Sequence, residues 1–321
     1  MIGVDVGGTK ILAGVVGRDL RVHARAQRPV PNDDQDRIIA ALVDAVDEVR
    51  SSAAPETFAV GVGVPCLFDE QRGTAVMAVN LRWAEIDLHA VLSERLGVPV
   101  FLDNDANLAM LAELRAGAAR GARHAAMLTV GTGIGGAVVF GGELYRGASG
   151  AAGELGHMVV DEDGPPCQGN CPNYGCLEAV ASGTALAREA ARVARSTPDC
   201  GLGRAFAAGR EMTGALVTEL AHDGDAAARD VVALVGTRLG IGIGNIVNML
   251  NPEVIVIGGG VIAAGELLLA PAREVVRTRT LPPPREHARI ERTHFGVESG
   301  MIGAAILAFD GVDGRAQWPQ R

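Results

Sequence analysis

The chain is poor in aromatic residues, in lysine and in uninterrupted apolar runs, and each shortage narrows what it can be. Aromatics are 3% of its 321 residues, so the core must be filled by Ala, Val, Leu and Ile. Lysine occurs once, at Lys10; every other basic side chain is Arg. No basic arm or basic helix is present and the formal net charge is −9, which argues against a general binder of nucleic acid or acidic membrane. The apolar stretches at 125–140 and 241–263 are broken by glycines, asparagines and a proline, so neither reads as a membrane span. The first residues enter a strand-like run without a charged leader, h-region or cleavage pattern. There is no Cys-X-X-Cys pair, and five cysteines with three clustered suit a metal site in a reducing compartment better than a disulfide framework. The expectation is a soluble cytoplasmic protein with no nucleic-acid or membrane partner.

What is present points to an α/β protein of two domains. Hydrophobic residues are 48% of the chain, enough for two cores, and the 43 glycines cluster beside apolar runs as tight turns and ligand loops do. Residues 2–6 and 11–16 read as strands around Gly7-Gly8-Thr9-Lys10, and the apolar stripe Ile38, Ile39, Leu42, Val46, Val49 predicts a helix over 34–50. Strands follow at 58–64 and 98–102, then a helix over roughly 105–119. Residues 225–250 read as a long helix, 253–257 as a buried strand, 265 onward as a helix, 281–284 as a surface connection, and 300–309 as a small-residue helix suited to close packing. The opening recurs: Val4–Ala13 lies over Leu128–Ala137 without a gap, strand, Gly/Thr turn and strand in each case. Two related domains, each offering a turn to one ligand, would produce that pattern.

Several constellations carry chemistry, each with a plainer alternative. Asp5 followed by Gly7, Gly8, Thr9 and Lys10 forms a plausible phosphate turn, in which backbone N–H groups approach an anion and an ammonium meets a terminal phosphate; the alternative is an ordinary hairpin turn. Gly131, Thr132 and Gly133 repeat the turn. Gly258, Gly259 and Gly260, after a buried strand and before a helix, have the layout of a nucleotide-contacting loop or simply of a tight connection. Neither the full Rossmann fingerprint nor the P-loop lysine signature is present. Asp103-Asn104-Asp105, between a strand and a helix, either caps the helix or presents a carboxylate that accepts the proton of an attacking hydroxyl. His157, Cys167, Cys171 and Cys176 are the imidazole and thiolates that close a tetrahedral structural zinc site, unless they are buried thiols beside a core histidine. Glu154 and Glu178 bracket the cluster.

These motifs, in this order across nearly the whole chain, resemble the ROK family (repressors, open reading frames and sugar kinases), and in particular its glucokinase-like members: Asp5–Lys10, Asp103–Asn107, Gly131–Gly136, Glu154–His157, Gly175–Glu178 and Gly258–Gly260. The resemblance implies an actin-like, hexokinase-type (RNase H-like) ATPase fold of two domains around a hinged cleft. The N-terminal domain would hold residues 1–120 and recover a C-terminal helix at about 300–321, and residues 121–299 would form the larger domain with the zinc loop and nucleotide turns. By the resemblance Asp105 is the catalytic base; Asn104, Glu154, His157 and Glu178 bind the sugar, with Asn80 and Gly63 as neighbours. The glycine turns and loop hold ATP, Mg2+ travels with it near Asp5, and His157 with Cys167, Cys171 and Cys176 holds structural Zn2+. Family members are often dimers or tetramers.

One departure stands out. The family pattern has one residue between the first two cysteines, followed by Gly; here Gln168-Gly-Asn170 intervenes and Pro172 replaces that Gly. The expectation is an intact metal site with this segment looped out. The reading is an ATP-dependent hexose kinase, with glucose as the sugar and its 6-hydroxyl as the acceptor. The alternatives are N-acetylglucosamine, N-acetylmannosamine, mannose, fructose or allose as substrate, polyphosphate as donor, or a sugar-sensing regulator, whose DNA-binding domain would find no room before Asp5.

Overall fold

The computed structural model describes residues 1–31, 34–52, 59–69, 74–78 and 86–315, without side chains for 67–69 and 74–78. From the N-terminus come β1 (Ile2–Val6), β2 (Lys10–Val16), β3 (Val22–Pro29), α1 (Gln35–Ser51), β4 (Val60–Val64), β5 (Cys66–Asp69), β6 (Thr74–Ala78), α2 (Leu88–Leu96), β7 (Val100–Asn104) and α3 (Asp105–Ala116). Then follow β8 (Ala125–Val130), β9 (Ile134–Phe140), β10 (Glu143–Leu144), α4 (Leu177–Ala181), α5 (Gly183–Ser196), α6 (Gly201–Ala207), α7 (Gly214–His222) and α8 (Ala226–Leu250). The last elements are β11 (Val254–Gly258), α9 (Glu266–Arg279), α10 (Pro282–His287), β12 (Arg289–Arg292) and α11 (Ser299–Val312).

Two five-stranded sheets share one plan. The first runs β3-β2-β1-β4-β7, an antiparallel meander continued by parallel strands. The second runs β10-β9-β8-β11-β12, with β9 and β10 antiparallel and β8, β11 and β12 parallel. The internal repeat is therefore structural: the gapless overlay carries Lys10–Val16 onto the bounds of β9. The chain divides into two compact units. One comprises Met1–Gly121, Ala137–Gly153 and Thr293–Arg321, the other Ala122–Gly136 and Glu154–Arg292. The first unit thus takes in Ala137–Gly153, a segment expected in the larger domain, and Arg146 of that segment bonds to Asp103.

In the first unit α1 and α2 cover one face of the sheet. Asp34 caps α1 by accepting from Asp36 N at 2.8 Å, and the expected stripe from Ile38 to Val49 is buried. Helices α3 and α11 supply two further apolar clusters of this unit, through Leu108, Ala304 and Leu307 and through Met301 and Ile306 packed with Leu12 of β2. Helix α11 lies so close that side chains are excluded: a Cβ on Gly3 would stand 1.9 Å from Met301 O, one on Gly61 1.8 Å from Ala304 O, and one on Gly303 1.7 Å from Leu108 O. The second unit is filled by α4 to α9 around β8 and β11. Helix α8 is apolar enough to span a membrane by length and composition, with a mean hydropathy of 1.4 in its best window, but 61% of that window is buried inside the unit. The Leu281–Pro284 stretch is no mere connection, since Pro282 starts α10; proline's fixed φ and missing N–H are tolerated in a first helical turn.

Because α11 meets α3 backbone to backbone, Gly303→Ala is expected to overpack this contact and lower unfolding stability by roughly 1–3 kcal/mol or more. Urea unfolding measures it, and an unchanged midpoint would refute the close-packing account.

Candidate active site

In the first unit the residues expected to carry phosphate and hydroxyl chemistry converge at the ends of β1 and β7. Asp5 sits on β1, in register with Leu12 of β2 and Gly63 of β4. The turn that follows is closed by Gly7 N donating to Lys10 O at 2.9 Å, and a Cβ on Gly8 would meet nothing within 4 Å, so its face is open to a ligand. Asp105 is the first residue of α3, where backbone N–H groups gather. Gly63 makes room for it: a Cβ there would lie 3.3 Å from Asp105 Cα. Burial, and next the neighbouring Asp105 charge, push the Asp5 carboxyl up to about 7 against the opposing pull of Lys10. Burial beside Asp105 likewise raises the Cys66 thiol. Asp5, Lys10 and Asp105 therefore form one electrostatic cluster. A Cβ on Gly300, in the first turn of α11, would stand 2.6 Å from Asp5 Cγ, so a second helix N-terminus faces this carboxyl.

The loop bearing Asp105 is clamped from beneath. Asp103 is 3% exposed, and its Oδ1 accepts from Asn104 N at 2.7 Å and Asn107 Nδ2 at 3.2 Å. Its Oδ2 accepts from Arg146 Nη2 at 2.7 Å and Nε at 3.1 Å, a forked pair with an Arg side chain only 12% exposed. Asn104 caps α3: its Oδ1 accepts from Ala106 N at 2.9 Å and Asn107 N at 3.2 Å. The capping reading of the Asp-Asn-Asp motif therefore holds, with Asn104 as the cap. The amide oxygen serves the helix, and any bond Asn104 gives a hydroxyl must come from Nδ2. Asp105 Oδ1 accepts from Ala106 N at 2.9 Å. Arg146 escaped the sequence reading because it lies 43 residues from its partner in a loop without a motif. Asn80 lies outside the described residues.

In the second unit Glu154, His157, Glu178 and the three clustered cysteines come together. The ligand atoms of His157, Cys167, Cys171 and Cys176 all lie within 4.8 Å of one another. Cys167 Sγ is 3.5 Å from His157 Nδ1, and Cys171 Sγ is 3.9 Å from Cys176 Sγ. A tetrahedral ion with bonds of about 2.3 Å separates its ligands by nearly these distances, so the donor set fits zinc. The extra residues are absorbed by a turn, with Gly169 at φ 58° and Cys171 N donating to Gln168 O at 3.4 Å. His157 turns Nδ1 to the sulfurs and Nε2 to Glu154, 3.8 Å from Oε2. Burial raises the Glu154 carboxyl, His157 opposes the rise, and Glu178 adds to it. Glu178, 2% exposed, accepts from Ile134 N at 2.8 Å and so fastens the residue that leaves the second glycine turn.

That turn, Gly131–Gly133, is closed by Gly131 N donating to Gly133 O at 2.9 Å. At the end of β11, Gly259 has φ 86° and a Cβ there would lie 2.4 Å from Val130 O, so glycine is required by conformation and packing alike. A Cβ on Gly131 or Gly260 would meet nothing within 4 Å, which leaves both open to a ligand.

Known proteins share this arrangement. A family model described as the ROK family matches residues 1–310. Over 311 residues the chain is 36% identical to a glucokinase of Halalkalibacterium halodurans, covering 95% of this chain and 94% of that one. Over 317 residues it is 30% identical to a xylose repressor of Caldicellulosiruptor bescii, covering 96% of this chain and 77% of the repressor. A ROK family glucokinase from Streptomyces griseus, solved in complex with glucose and AMPPNP, superposes with a TM-score of 0.90 at 35% identity, covering 97% of this chain and 99% of that one. The family model, the curated relatives and the solved structure agree: the chain belongs to the ROK family, with its actin-like ATPase fold.

Proposed function

We propose that this protein is an ATP-dependent hexose kinase that transfers the γ-phosphoryl group of ATP to the 6-hydroxyl of glucose. The observation that carries the reading is Asp105, set at the N-terminus of α3 on a loop locked by Asp103 and Arg146, with Asp5 and Lys10 beside it. Identity to glucokinases, including one bound to glucose and AMPPNP, supports glucose and ATP as the substrates.

In this reading the hydroxyl proton passes to the Asp105 carboxylate as the oxygen–phosphorus bond forms and ADP departs. A carboxylate is a weak base, yet a loose phosphoryl-transfer transition state asks mainly for orientation and late proton acceptance. Asn104 Nδ2, Glu154, His157 Nε2 and Glu178 bind the remaining sugar hydroxyls, with Gly63 beside them. The turns Gly7–Lys10 and Gly131–Gly133 receive the phosphates, and Gly258–Gly260 borders the adenosine. Mg2+ bound with ATP neutralises phosphate charge; Asp5, whose ionisation burial opposes, is the carboxylate suited to it. Zinc held by His157, Cys167, Cys171 and Cys176 braces the loop and fixes the ring of His157.

ADP release with Mg-ATP should be strong on glucose and weak on mannose, fructose, allose, N-acetylglucosamine and N-acetylmannosamine. In Asp105→Ala or Asp105→Asn, turnover should fall by about 10³-fold while glucose still binds. Near-normal turnover of Asp105→Asn would remove its role as base. Turnover confined to another sugar would change the substrate alone. Glucose binding without turnover in the wild type would favour the sensing role of the repressor relatives.

The raised Asp5 carboxyl makes a signed prediction. Its folded value of about 7 exceeds the ordinary 3.8, so the folded protein gains from holding this proton at low pH and loses the gain as pH rises through 7. Asp5→Asn should therefore gain stability relative to wild type between pH 4 and 8, by on the order of 3–4 kcal/mol over that window. Denaturant titrations without nucleotide measure it; a pH-independent difference would contradict the burial.

Metal analysis should find zinc in the wild type, and Cys171→Ala should abolish it and lower the thermal midpoint by roughly 5–10 °C. Retained stoichiometric zinc would exclude Cys171 as a ligand.

A further inference from the structure

The carbonyls of the second glycine turn are held from one side by three separate donors. Gly183 N donates to Gly131 O at 2.8 Å. Thr184 Oγ1 donates to Thr132 O at 2.9 Å, and Gln168 Nε2 reaches the same oxygen at 3.3 Å. Gln168 Nε2 also donates to Ser182 Oγ at 3.0 Å, and that hydroxyl caps α5 by accepting from Ala185 N at 3.2 Å. Ser182 is fully buried, and Gly183 must lack a side chain, since a Cβ would stand 2.8 Å from Gly131 O. The amide of Gln168 has one workable orientation here, because a carbonyl can only accept.

In a trans peptide the C=O and N–H point in opposite directions. Holding the carbonyls of Gly131 and Thr132 toward α5 therefore turns the N–H groups of Thr132 and Gly133 the other way, as two successive donors. Consecutive N–H groups of that kind make an anion-binding concavity. Gln168 directly follows Cys167, one of the four residues whose ligand atoms lie within 4.8 Å of one another.

We propose that Gln168 is a positioning residue for the nucleotide: it latches the metal loop to the Gly131–Gly133 turn, so that nucleotide affinity depends on its amide and on the loop being closed around its metal. The proposal rests on the kinase reading above. The latch acts on the backbone of the turn and touches neither the sugar residues nor Asp105, so its loss separates nucleotide binding from sugar binding and chemistry.

The test is calorimetric binding of Mg-AMPPNP to zinc-loaded wild type, Gln168→Ala, Gln168→Glu and Thr184→Val, with zinc content, thermal midpoint, kcat and both KM values measured alongside. Gln168→Ala should weaken AMPPNP and raise KM for ATP by about 3–10-fold, while KM for sugar, kcat and zinc content stay within about twofold. Gln168→Glu should be worse than Gln168→Ala, because a carboxylate placed against Thr132 O can only repel it. Thr184→Val combined with Gln168→Ala should lose more than the product of the single effects, since each donor backs up the other. Wild-type protein stripped of zinc should bind AMPPNP as weakly as Gln168→Ala or more weakly. Unchanged AMPPNP affinity in Gln168→Ala and Gln168→Glu would overturn the latch. So would equal weakening of sugar and nucleotide with a lowered midpoint, the mark of a merely structural residue. A wild type that binds no AMPPNP at all would bring down the kinase reading itself, a failure distinct from that of the latch.

Discussion

The closeness of α11 to the first sheet is the constraint on which that unit depends. Three glycines, Gly3, Gly61 and Gly303, stand where any Cβ would strike main-chain oxygen. Such contact leaves no tolerance for a shift, so the helix can dock in one position only. That position sets the first turn of α11 against the Asp5 carboxyl, across Gly300. Packing and electrostatics are thus one fact seen twice. The same absence of side chains that lets the backbones meet also brings a helix N-terminus to a buried acid whose other counterweight is Lys10.

A second layer of order lies beneath the reactive groups. Asn104 and Asp105 are the cap and first residue of α3, and a helix start shifts unless something fixes the peptide behind it. The buried Asp103 carboxylate does so with four donors, two of them on the guanidinium of Arg146. Removing one partner of such a pair costs more than the bond itself, because it strands the other charge away from water. In the second unit Glu178 and the 182–184 segment play the corresponding part for the other glycine turn. Both glycine turns sit in the same strand–turn–strand pattern, yet different side chains hold each of them.

What could be read from the sequence was whatever is local or periodic. The apolar stripe of α1, the capped start of α3 and the strand–turn–strand repeat all appear within a few residues of their expected bounds. The metal quartet was legible because thiols and imidazole have few other reasons to cluster. The four donor atoms gather despite the three residues between Cys167 and Cys171, where Gly169 supplies a left-handed turn that no motif announced. What stayed hidden depends on contacts across long stretches of chain. Nothing near Arg146 signals that it serves Asp103, and nothing in Gln168 signals a reach to Thr132 O, 36 residues away. The helix at Pro282 was missed for another reason: three prolines in a row suggest a break, whereas proline is accepted in the first turn.

Arginine has taken every cationic position in this chain but one, and that one opens β2 beside the first phosphate turn. A guanidinium cannot be acylated under mild conditions, and an ε-amine can. The protein therefore carries a single addressable side-chain amine, and it stands beside the groups assigned to chemistry. Any reagent or cellular modifier that attacks lysine would find one target, and its effect would be read out as occupancy of that turn. The surface can be crowded with positive charge and still remain chemically silent everywhere else.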